Sequence, residues 1–210
     1  AFALARPQGQ SLRHGEAVVL GLIVGVTLYL SPSVVIKRNS EVVREGGARE
    51  IRFETTDTKS LATSIPFIKN NNLDYSEIIP LKDPAMKKIL GVTIFIMMTV
   101  VVVMLLSNGV NLTDGVDGLA SGSSAIVGIV LGILAYVSSH HDMAGYLNTM
   151  FIPGAEELVI FAATLVGATA GFLWYNSYPA QVFMGDTGSL ALGGIIGVFA
   201  ILIRKELLLP

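Results

Sequence analysis

The sequence predicts an all-α, polytopic membrane protein with about five transmembrane helices and a small surface hairpin insertion. Of its 210 residues, 52% are hydrophobic and only 14% are charged, whereas soluble domains carry about 25% charged residues. Long stretches without any charge recur, and about 20 apolar helical residues cross a bilayer core about 30 Å thick. A soluble globule could not hide this much apolar surface. Lipid also disfavours open sheets, because their edges leave backbone groups unpaired.

Composition excludes several other classes of protein. The chain contains no cysteine, which excludes a disulfide scaffold, a thiolate metal site and a cysteine nucleophile. The formal net charge of −2 leaves no basic surface for nucleic acid, so no nucleic-acid partner is expected. The chain starts without Met and ends directly after an apolar run. We therefore expect an internal piece of a longer protein.

Five charge-free runs define the predicted spans. The first has no charge over 20 residues, the second contains the most apolar stretch, and the last is short but adequate if its ends are anchored at the interface. The β-branched run 99–103 would suit a buried strand in a soluble protein, but in lipid we expect helix. Residues 1–210 are treated as one partial transmembrane domain. The predicted spans are 17–36, 89–110, 119–139, 158–175 and 189–203.

The longest polar segment, 37–88, is an insertion between the first two spans. It holds ten basic and eight acidic residues. Within it, residues 60–75 show short apolar stretches around three consecutive asparagines, Asn70 to Asn72. This pattern predicts a small hairpin that caps the membrane surface.

Counting the predicted spans assigns each loop to one of two membrane faces. The loop with Asp114 and Asp117 falls on the same face as the loop with Asp186, and we call this face one. The insertion 37–88 and the loop 140–157 fall on the opposite face, which we call face two. If all five runs span, the three aspartates converge on one surface.

Charge alone leaves the orientation of these faces open. Lys and Arg favour the cytoplasmic side. Face two carries ten of them in the insertion together with Arg204 and Lys205, against only Arg6 and Arg13 on face one. The rule therefore places face two inside, but it applies to a whole protein, and we expect this chain to be only part of one.

The first candidate site is the segment Asn108-Gly-Val-Asn111-Leu-Thr-Asp114-Gly-Val-Asp117-Gly118, which joins two apolar helices. Carboxylates three residues apart share a face if the segment is helical, and the glycines allow close backbone approach to a ligand. Ionised side chains at membrane depth are costly, so this pair indicates a cation or polar ligand. The alternative is an interfacial turn in which an aspartate caps a helix.

The second candidate site is the sequence Gly185-Asp186-Thr-Gly-Ser189, which directly precedes an apolar helix. A helix N-terminus suits phosphate, Asp186 could hold Mg²⁺ beside substrate phosphates, and the ring of Phe183 could stack on a base. The alternative is that Asp186 only caps the helix. The nearby Trp174 and Tyr175 are interpreted as interfacial belt aromatics.

At these two sites the chain resembles the phospho-N-acetylmuramoyl-pentapeptide transferases, of the polyprenyl-phosphate N-acetylhexosamine-1-phosphate transferase superfamily. The stretches NLTDGVDGLASG and FLWYNSYPAQVFMGDTGSLALGG carry the resemblance. It implies a bacterial inner-membrane enzyme of peptidoglycan synthesis, and hence of cell-wall biogenesis, cell shape and cell division. This enzyme transfers phospho-MurNAc-pentapeptide from UDP-MurNAc-pentapeptide to undecaprenyl phosphate, giving lipid I and UMP. The resemblance also implies Mg²⁺ as the cofactor and the lipid bilayer as a partner. It leaves open whether the protein forms a homodimer.

The resemblance also assigns roles to individual residues. Asp186 matches the magnesium-binding aspartate, and Asp114 and Asp117 match the acidic pair of the nucleotide and diphosphate site, so these three are the expected catalytic residues. Asn176 and Phe183 match positions lining the nucleoside pocket, where the aromatic ring stacks on uracil. The expected substrate-binding residues are Asn111, Asn176, Phe183, Gly185 and Ser189. Face one is then cytoplasmic, because the nucleotide precursor is made there, and the insertion 37–88 is extracytoplasmic.

Parts of the family pattern are absent from this chain. The paired-aspartate motif of an earlier cytoplasmic loop, a lysine of that region and a His-rich loop near the C-terminus are not found. We therefore expect the chain to be inactive alone. Two alternatives stay open at this point, a polyprenyl-phosphate GlcNAc-1-phosphate transferase and an ion-coupled membrane transporter that binds cations at the aspartates.

Overall fold

The computed structural model is a bundle of long helices with short strands between the first two. It describes residues 9–31, 36–38, 57–59, 62–64, 72–74, 83–147 and 149–209. The α-helices are α1 (Gly9–Leu30), α2 (Pro84–Thr113), α3 (Leu119–Ser139), α4 (His141–Tyr146), α5 (Glu156–Asn176) and α6 (Gly185–Leu202). The strands are β1 (Ile36–Arg38), β2 (Asp57–Lys59), β3 (Ala62–Ser64) and β4 (Asn72–Asp74), and a 3-10 turn covers Glu206–Leu208.

The prediction of a helical membrane protein is confirmed. Among the described residues, four helices are long and apolar enough to cross a bilayer, namely Ala85–Thr113, Leu119–Ser139, Glu156–Asn176 and Gly185–Leu202. The described apolar part of α1, Ala17–Leu30, is shorter. The hydrocarbon core of a bilayer requires about 20 such residues, so a shorter helix needs local thinning of the bilayer or interfacial anchors at its ends.

The observed ends of α1 and α2 differ from the predicted span ends for local reasons. Helix α1 ends at Leu30 rather than near residue 36, because a proline at 32 disfavours helical backbone in the residue before it. Helix α2 begins at Pro84 rather than at residue 89. The side chain of Asp83 accepts a hydrogen bond from the backbone N–H of Ala85 at 3.3 Å, and proline suits the first helical position.

The described part of the insertion consists of two antiparallel strand pairs. Strand β1 pairs with β2, with Lys37 opposite Thr58. Strand β3 pairs with β4, with Thr63 opposite Leu73. The second pair lies within 60–75, the segment predicted to form a hairpin, and the residues that connect its strands lie outside the described residues.

Small residues bring the long helices into close contact. A Cβ atom added at Gly21 of α1 would lie 2.8 Å from Cα of Val100 in α2. A Cβ atom at Gly193 of α6 would lie 2.7 Å from Cα of Ser107 in α2. Helices in lipid associate through such close backbone packing, since there is no hydrophobic driving force between them. The order of contacts is α1 on α2, α2 on α6, and α3 on α5 and α6.

Two apolar clusters fill the contacts between these helices. One joins α3, α5 and α6 and contains Leu131, Ala135, Ala162, Leu192, Ile196, Phe199, Ala200 and Ile203. The other joins α1, α2 and α6 and contains Leu28, Phe95, Val102, Val103 and Ile201. Helix α6 contributes to both clusters, so the helix that carries Asp186 in its first turn is held from two sides.

Strand β3 lies against the end of α6 that is remote from Asp186. The buried hydroxyl of Thr63 donates a hydrogen bond to the backbone oxygen of Arg204 at 3.3 Å. The guanidinium carbon of Arg204 lies 5.1 Å from the ring centroid of Phe95, within the range of a cation–π contact. The described strand pair β3–β4 therefore packs at the face-two end of the bundle.

Candidate active site

Four helix ends meet at the face-one end of the bundle. Helix α2 ends at Thr113 and α3 begins at Leu119, so residues 114–118 form a short acidic turn between them. Helix α5 ends at Asn176 and α6 begins at Gly185, and we call residues 177–184 the aromatic loop. Side-chain hydrogen bonds join the two connections, as the parity of the spans predicts.

Asn111 links the last turn of α2 to the first turn of α6. Its Nδ2 atom donates to Oδ1 of Asp186 at 3.2 Å and to Oγ of Ser189 at 2.9 Å. Ser189 is fully buried, and Asp186 is half-buried. The N-cap residue of α6 is Met184, so Asp186 lies inside the first helical turn and does not cap the helix. The amide of Asn111 therefore holds the Asp186 carboxylate in a defined orientation.

The acidic turn and the aromatic loop are joined directly. One carboxylate oxygen of Asp117, Oδ2, accepts a hydrogen bond from the backbone N–H of Ala180 at 3.1 Å. The N-cap residue of α3 is Gly118, with a φ of 74°, so neither aspartate of the turn caps α3. A φ in this region favours glycine, and a side chain there would be strained. The backbone turns sharply at this position and directs Asp117 towards the aromatic loop.

Asn176, the last residue of α5, forms the interior of this junction. Its Oδ1 atom accepts hydrogen bonds from the backbone N–H of Gly118 at 3.2 Å and from the hydroxyl of Ser121 at 3.0 Å. Its Nδ2 atom donates to the backbone oxygen of Val182 at 2.8 Å. The side chain of Asn176 is 3% exposed. It thus connects three segments of the chain at a buried point.

Burial of Asp114 changes its acidity. The residue follows directly on α2 and acts as its C-cap, with its backbone N–H bonded to the oxygen of Val110 at 3.2 Å. Desolvation raises the pKa of the Asp114 carboxyl above its ordinary value of 3.8, because partial burial disfavours the charged form. A cation or a hydrogen-bond donor from a ligand would stabilise the ionised form there.

Exposed aromatic side chains lie in and next to the aromatic loop. Phe183 is 67% exposed, and Trp174, Tyr175 and Tyr178 are exposed as well. Phe183 lies three positions before Asp186 and next to Val182, the residue bonded to Asn176. An exposed ring at this position offers a stacking surface for a planar group such as a nucleobase.

The sequence profile of the glycosyl transferase family 4 matches residues 60–204, the region that contains the acidic turn, the aromatic loop and Asp186. The chain belongs to this family. The match covers four of the long helices and excludes α1.

Several curated family members are similar over most of this chain. A phospho-N-acetylmuramoyl-pentapeptide-transferase from Porphyromonas gingivalis is 63% identical over 193 residues, which is 92% of this chain and 46% of that protein. Proteins of the same name from Parabacteroides distasonis and Bacteroides fragilis are 61% and 59% identical over the same shares. The chain therefore spans about half the length of the curated relatives that it matches.

The donor atoms at Asp186 fit a magnesium ion of the kind that the resemblance implies. Mg²⁺ prefers oxygen ligands and binds through one or two carboxylates together with substrate phosphates and water. Asp186 supplies a carboxylate oriented by Asn111, and the hydroxyl of Ser189 lies in the same turn of α6. Within the described residues, no three His, Cys, Asp or Glu side chains gather as a metal-binding group.

Several contributors to this junction were not among the predicted site residues. They are the buried hydroxyl of Ser121, the backbone N–H groups of Gly118 and Ala180, and the backbone oxygen of Val182. A backbone donor leaves no trace in the sequence. Ser121 belongs to a run of small residues spaced three or four apart on α3, which includes Ser124 and Gly128. That spacing indicates a packed helix face, but it does not indicate which hydroxyl bonds across it.

Proposed function

We propose that the full-length protein transfers phospho-MurNAc-pentapeptide from UDP-MurNAc-pentapeptide to undecaprenyl phosphate, giving lipid I and UMP. The observation that carries this proposal is the direct hydrogen bond between Asn111 and Asp186. It joins the end of α2, which leads into the acidic turn, to the first turn of α6 at one end of the bundle. The names of the relatives support the choice of reaction. The proposal concerns the whole protein, since this chain spans less than half of each relative.

The reaction transfers a phosphoryl group between two anions. A phosphate oxygen of the lipid carrier forms a bond to the β-phosphorus of the UDP-sugar, and the bond from that phosphorus to the oxygen bridging the α-phosphorus breaks. UMP leaves with the bridging oxygen. Because both reactants are negatively charged, neutralising charge and aligning the reacting atoms supply most of the catalysis.

The first turn of α6 is suited to hold the diphosphate. Asp186 is the residue that would hold Mg²⁺, and the ion would supply positive charge to the diphosphate oxygens. Gly185 begins the helix with a φ of 69°, and a Cβ atom added there would meet no atom within 4 Å. The N–H groups in the first turn of a helix carry partial positive charge, and the first turn of α6 lies at this end of the bundle. Asn111 and Ser189 maintain the orientation of this turn.

The acidic turn and the aromatic loop are suited to hold the nucleotide. The ring of Phe183 is free to stack on uracil, and Asp114 and Asp117 lie on the adjoining turn. The hydrogen bond from Ala180 to Asp117 keeps the turn and the loop together. A phosphate nucleophile is already ionised near neutral pH, so we assign no general base.

The proposed orientation places face one in the cytoplasm and the insertion 37–88 on the extracytoplasmic side of the bacterial inner membrane. The UDP-linked precursor is a soluble cytoplasmic compound, so its binding site has to open to that side. Mg²⁺ dependence belongs to the same proposal, and the homodimer stays a prediction.

The test is UMP release by the purified full-length protein, with undecaprenyl phosphate, Mg²⁺ and either UDP-MurNAc-pentapeptide or UDP-GlcNAc. We expect turnover with the first donor only, and turnover with UDP-GlcNAc alone would instead indicate a GlcNAc-1-phosphate transferase. Asp186→Asn removes the charge while keeping the shape of the side chain, and we expect it to abolish transfer in a folded protein. The matched control is Asp142→Asn, at an exposed position of α4 on face two. Wild-type turnover by Asp186→Asn would overturn the role of this residue.

A further inference from the structure

A buried polar contact joins α3 to α5 beneath the candidate site. Ser121 lies in the first turn of α3 and Asn176 ends α5, and their side chains are 0% and 3% exposed. The hydroxyl of Ser121 donates to Oδ1 of Asn176 at 3.0 Å. Buried polar groups are costly when left without a partner, so such a contact defines one arrangement of the two helix ends.

The hydrogen bonds of Asn176 leave little capacity for a ligand. A side-chain amide oxygen has two lone pairs, and its nitrogen carries two hydrogens. The backbone N–H of Gly118 and the hydroxyl of Ser121 occupy both acceptor positions, and the oxygen of Val182 takes one of the two hydrogens. Together with its burial, this makes Asn176 a group that acts through its neighbours.

Those neighbours border the two parts of the nucleotide site. Gly118 directly follows Asp117 in the acidic turn, and Val182 directly precedes Phe183 in the aromatic loop. A shift of the Asn176 amide would therefore move the carboxylates relative to the aromatic ring. A second hydrogen bond, from the backbone N–H of Ala180 to Asp117, also joins the aromatic loop to the acidic turn, and it is half-buried.

We propose that Ser121 and Asn176 form a positioning pair that holds the acidic turn in a defined position relative to the aromatic loop. The pair sets the separation between the carboxylates and the ring of Phe183, so both ends of one nucleoside diphosphate can be bound at once. This inference rests on the proposed function, because it assumes that the two segments bind the same nucleotide. Neither residue is assigned a catalytic role, because both side chains are buried and bonded to neighbouring segments of the chain.

The test compares Ser121→Ala with Ser123→Ala in the full-length protein. The hydroxyl of Ser123 donates only within its own helix, to the oxygens of Leu119 and Ala120 at 2.7 Å and 3.3 Å. Both changes remove one hydroxyl from the same region of α3, but only Ser121→Ala removes a contact to α5. We expect Ser121→Ala to raise the KM for the UDP-linked donor about fivefold, as the loss of one hydrogen bond implies. We expect Ser123→Ala to match the wild type.

A second readout does not depend on the substrate. Hydrogen exchange measured by mass spectrometry reports the opening of the peptides that cover residues 114–120 and 177–184. We expect Ser121→Ala to increase deuterium uptake in both peptides and Ser123→Ala to change neither. This measurement tests the pair even if the wild type fails to use UDP-MurNAc-pentapeptide, a failure that would overturn the proposed function instead.

Two results would overturn the positioning role. One is deuterium uptake in the two peptides that is the same for Ser121→Ala and Ser123→Ala. The other is a lower kcat for Ser121→Ala at unchanged KM, with a matching loss of folded protein, because this pattern indicates a purely structural role.

Discussion

The Nδ2 atom of Asn111 lies 3.2 Å from Oδ1 of Asp186, although 75 positions separate the two residues in the chain. This contact joins the last turn of α2 to the first turn of α6. The same nitrogen also reaches Oγ of Ser189 at 2.9 Å, so one amide orients both a carboxylate and a hydroxyl of α6. The carboxylate that is the best candidate for holding a metal ion is therefore positioned by a neutral side chain from another helix.

Asn111→Ala should lower transfer strongly without unfolding the protein. A hydrogen bond to a charged group contributes about 1.5–3 kcal/mol, which corresponds to a loss of about tenfold or more in kcat. The measurement is steady-state UMP release at several Mg²⁺ concentrations. The control is Asn108→Ala, one turn earlier on α2, where the side chain donates only to the oxygen of Met104 at 2.8 Å. Equal activities of the two variants would contradict the positioning of Asp186 by Asn111.

Phe183→Ala should mainly weaken nucleotide binding. Stacking of a base on an aromatic ring contributes about 1–3 kcal/mol, so we expect the Kd for UMP to rise about fivefold or more. Isothermal titration of the purified full-length protein with UMP measures this change. Tyr146→Ala serves as the control, because this exposed aromatic residue lies on α4 at face two. An unchanged Kd for Phe183→Ala would exclude the stacking role.

Gly193→Ala should destabilise the bundle. A Cβ atom at this position would meet the backbone oxygen of Leu106 and would lie 2.7 Å from Cα of Ser107, so α6 would have to move away from α2. Overpacking of this kind costs about 1–3 kcal/mol, and activity should fall as well because α6 carries Asp186. Thermal unfolding in detergent checks the expected decrease in Tm.

The matched control for that change is Gly171→Ala. A Cβ atom added at Gly171 in α5 would meet no atom within 4 Å, and alanine favours a helix by about 1 kcal/mol over glycine. We therefore expect an unchanged or higher Tm for Gly171→Ala. A similar decrease in both variants would mean that close packing of α2 on α6 is not the cause.

The raised pKa of Asp114 predicts a pH dependence of stability with a definite sign. Burial raises the pKa of this carboxyl above 3.8, so the folded state holds its proton at a pH where the unfolded state has lost it. The contribution of this group to the free energy of unfolding is therefore fully present below pH 3.8. It is lost as the pH rises through the pKa of Asp114 in the folded protein. At neutral pH the ionised carboxylate is a cost to the fold.

Asp114→Asn should remove that cost. We expect a higher Tm than the wild type at pH 7, because desolvation of the ionised carboxylate disfavours the fold at that pH. We also expect a loss of transfer, because the proposed reaction uses this carboxylate. Unfolding curves at pH 7 for the two proteins, with UMP release measured in parallel, check both effects. A lower Tm for Asp114→Asn would show that the ionised group stabilises the folded state.

Composition and the positions of the charge-free runs were enough to predict the class of the fold and to place the three aspartates on one membrane face. Charge-free runs of about 20 residues match the thickness of a bilayer, and helices satisfy their own backbone in lipid, so composition and run length suffice to predict the helices. Once the spans are counted, parity alone assigns Asp114, Asp117 and Asp186 to one face. The motifs around these aspartates were also enough to recognise the family, and the profile match over residues 60–204 confirms that assignment.

The identity of the atoms that meet at that face could not be predicted and came from the packing of the helices. The contacts of Asn111 with Asp186 and of Ser121 with Asn176 join positions 75 and 55 residues apart. They depend on how each helix is rotated about its axis and how closely its small residues let it approach its neighbour. A sequence pattern shows that a helix has a small or polar face, but a hydrogen bond needs its two atoms within about 3 Å. Side-chain packing across the whole bundle sets that separation.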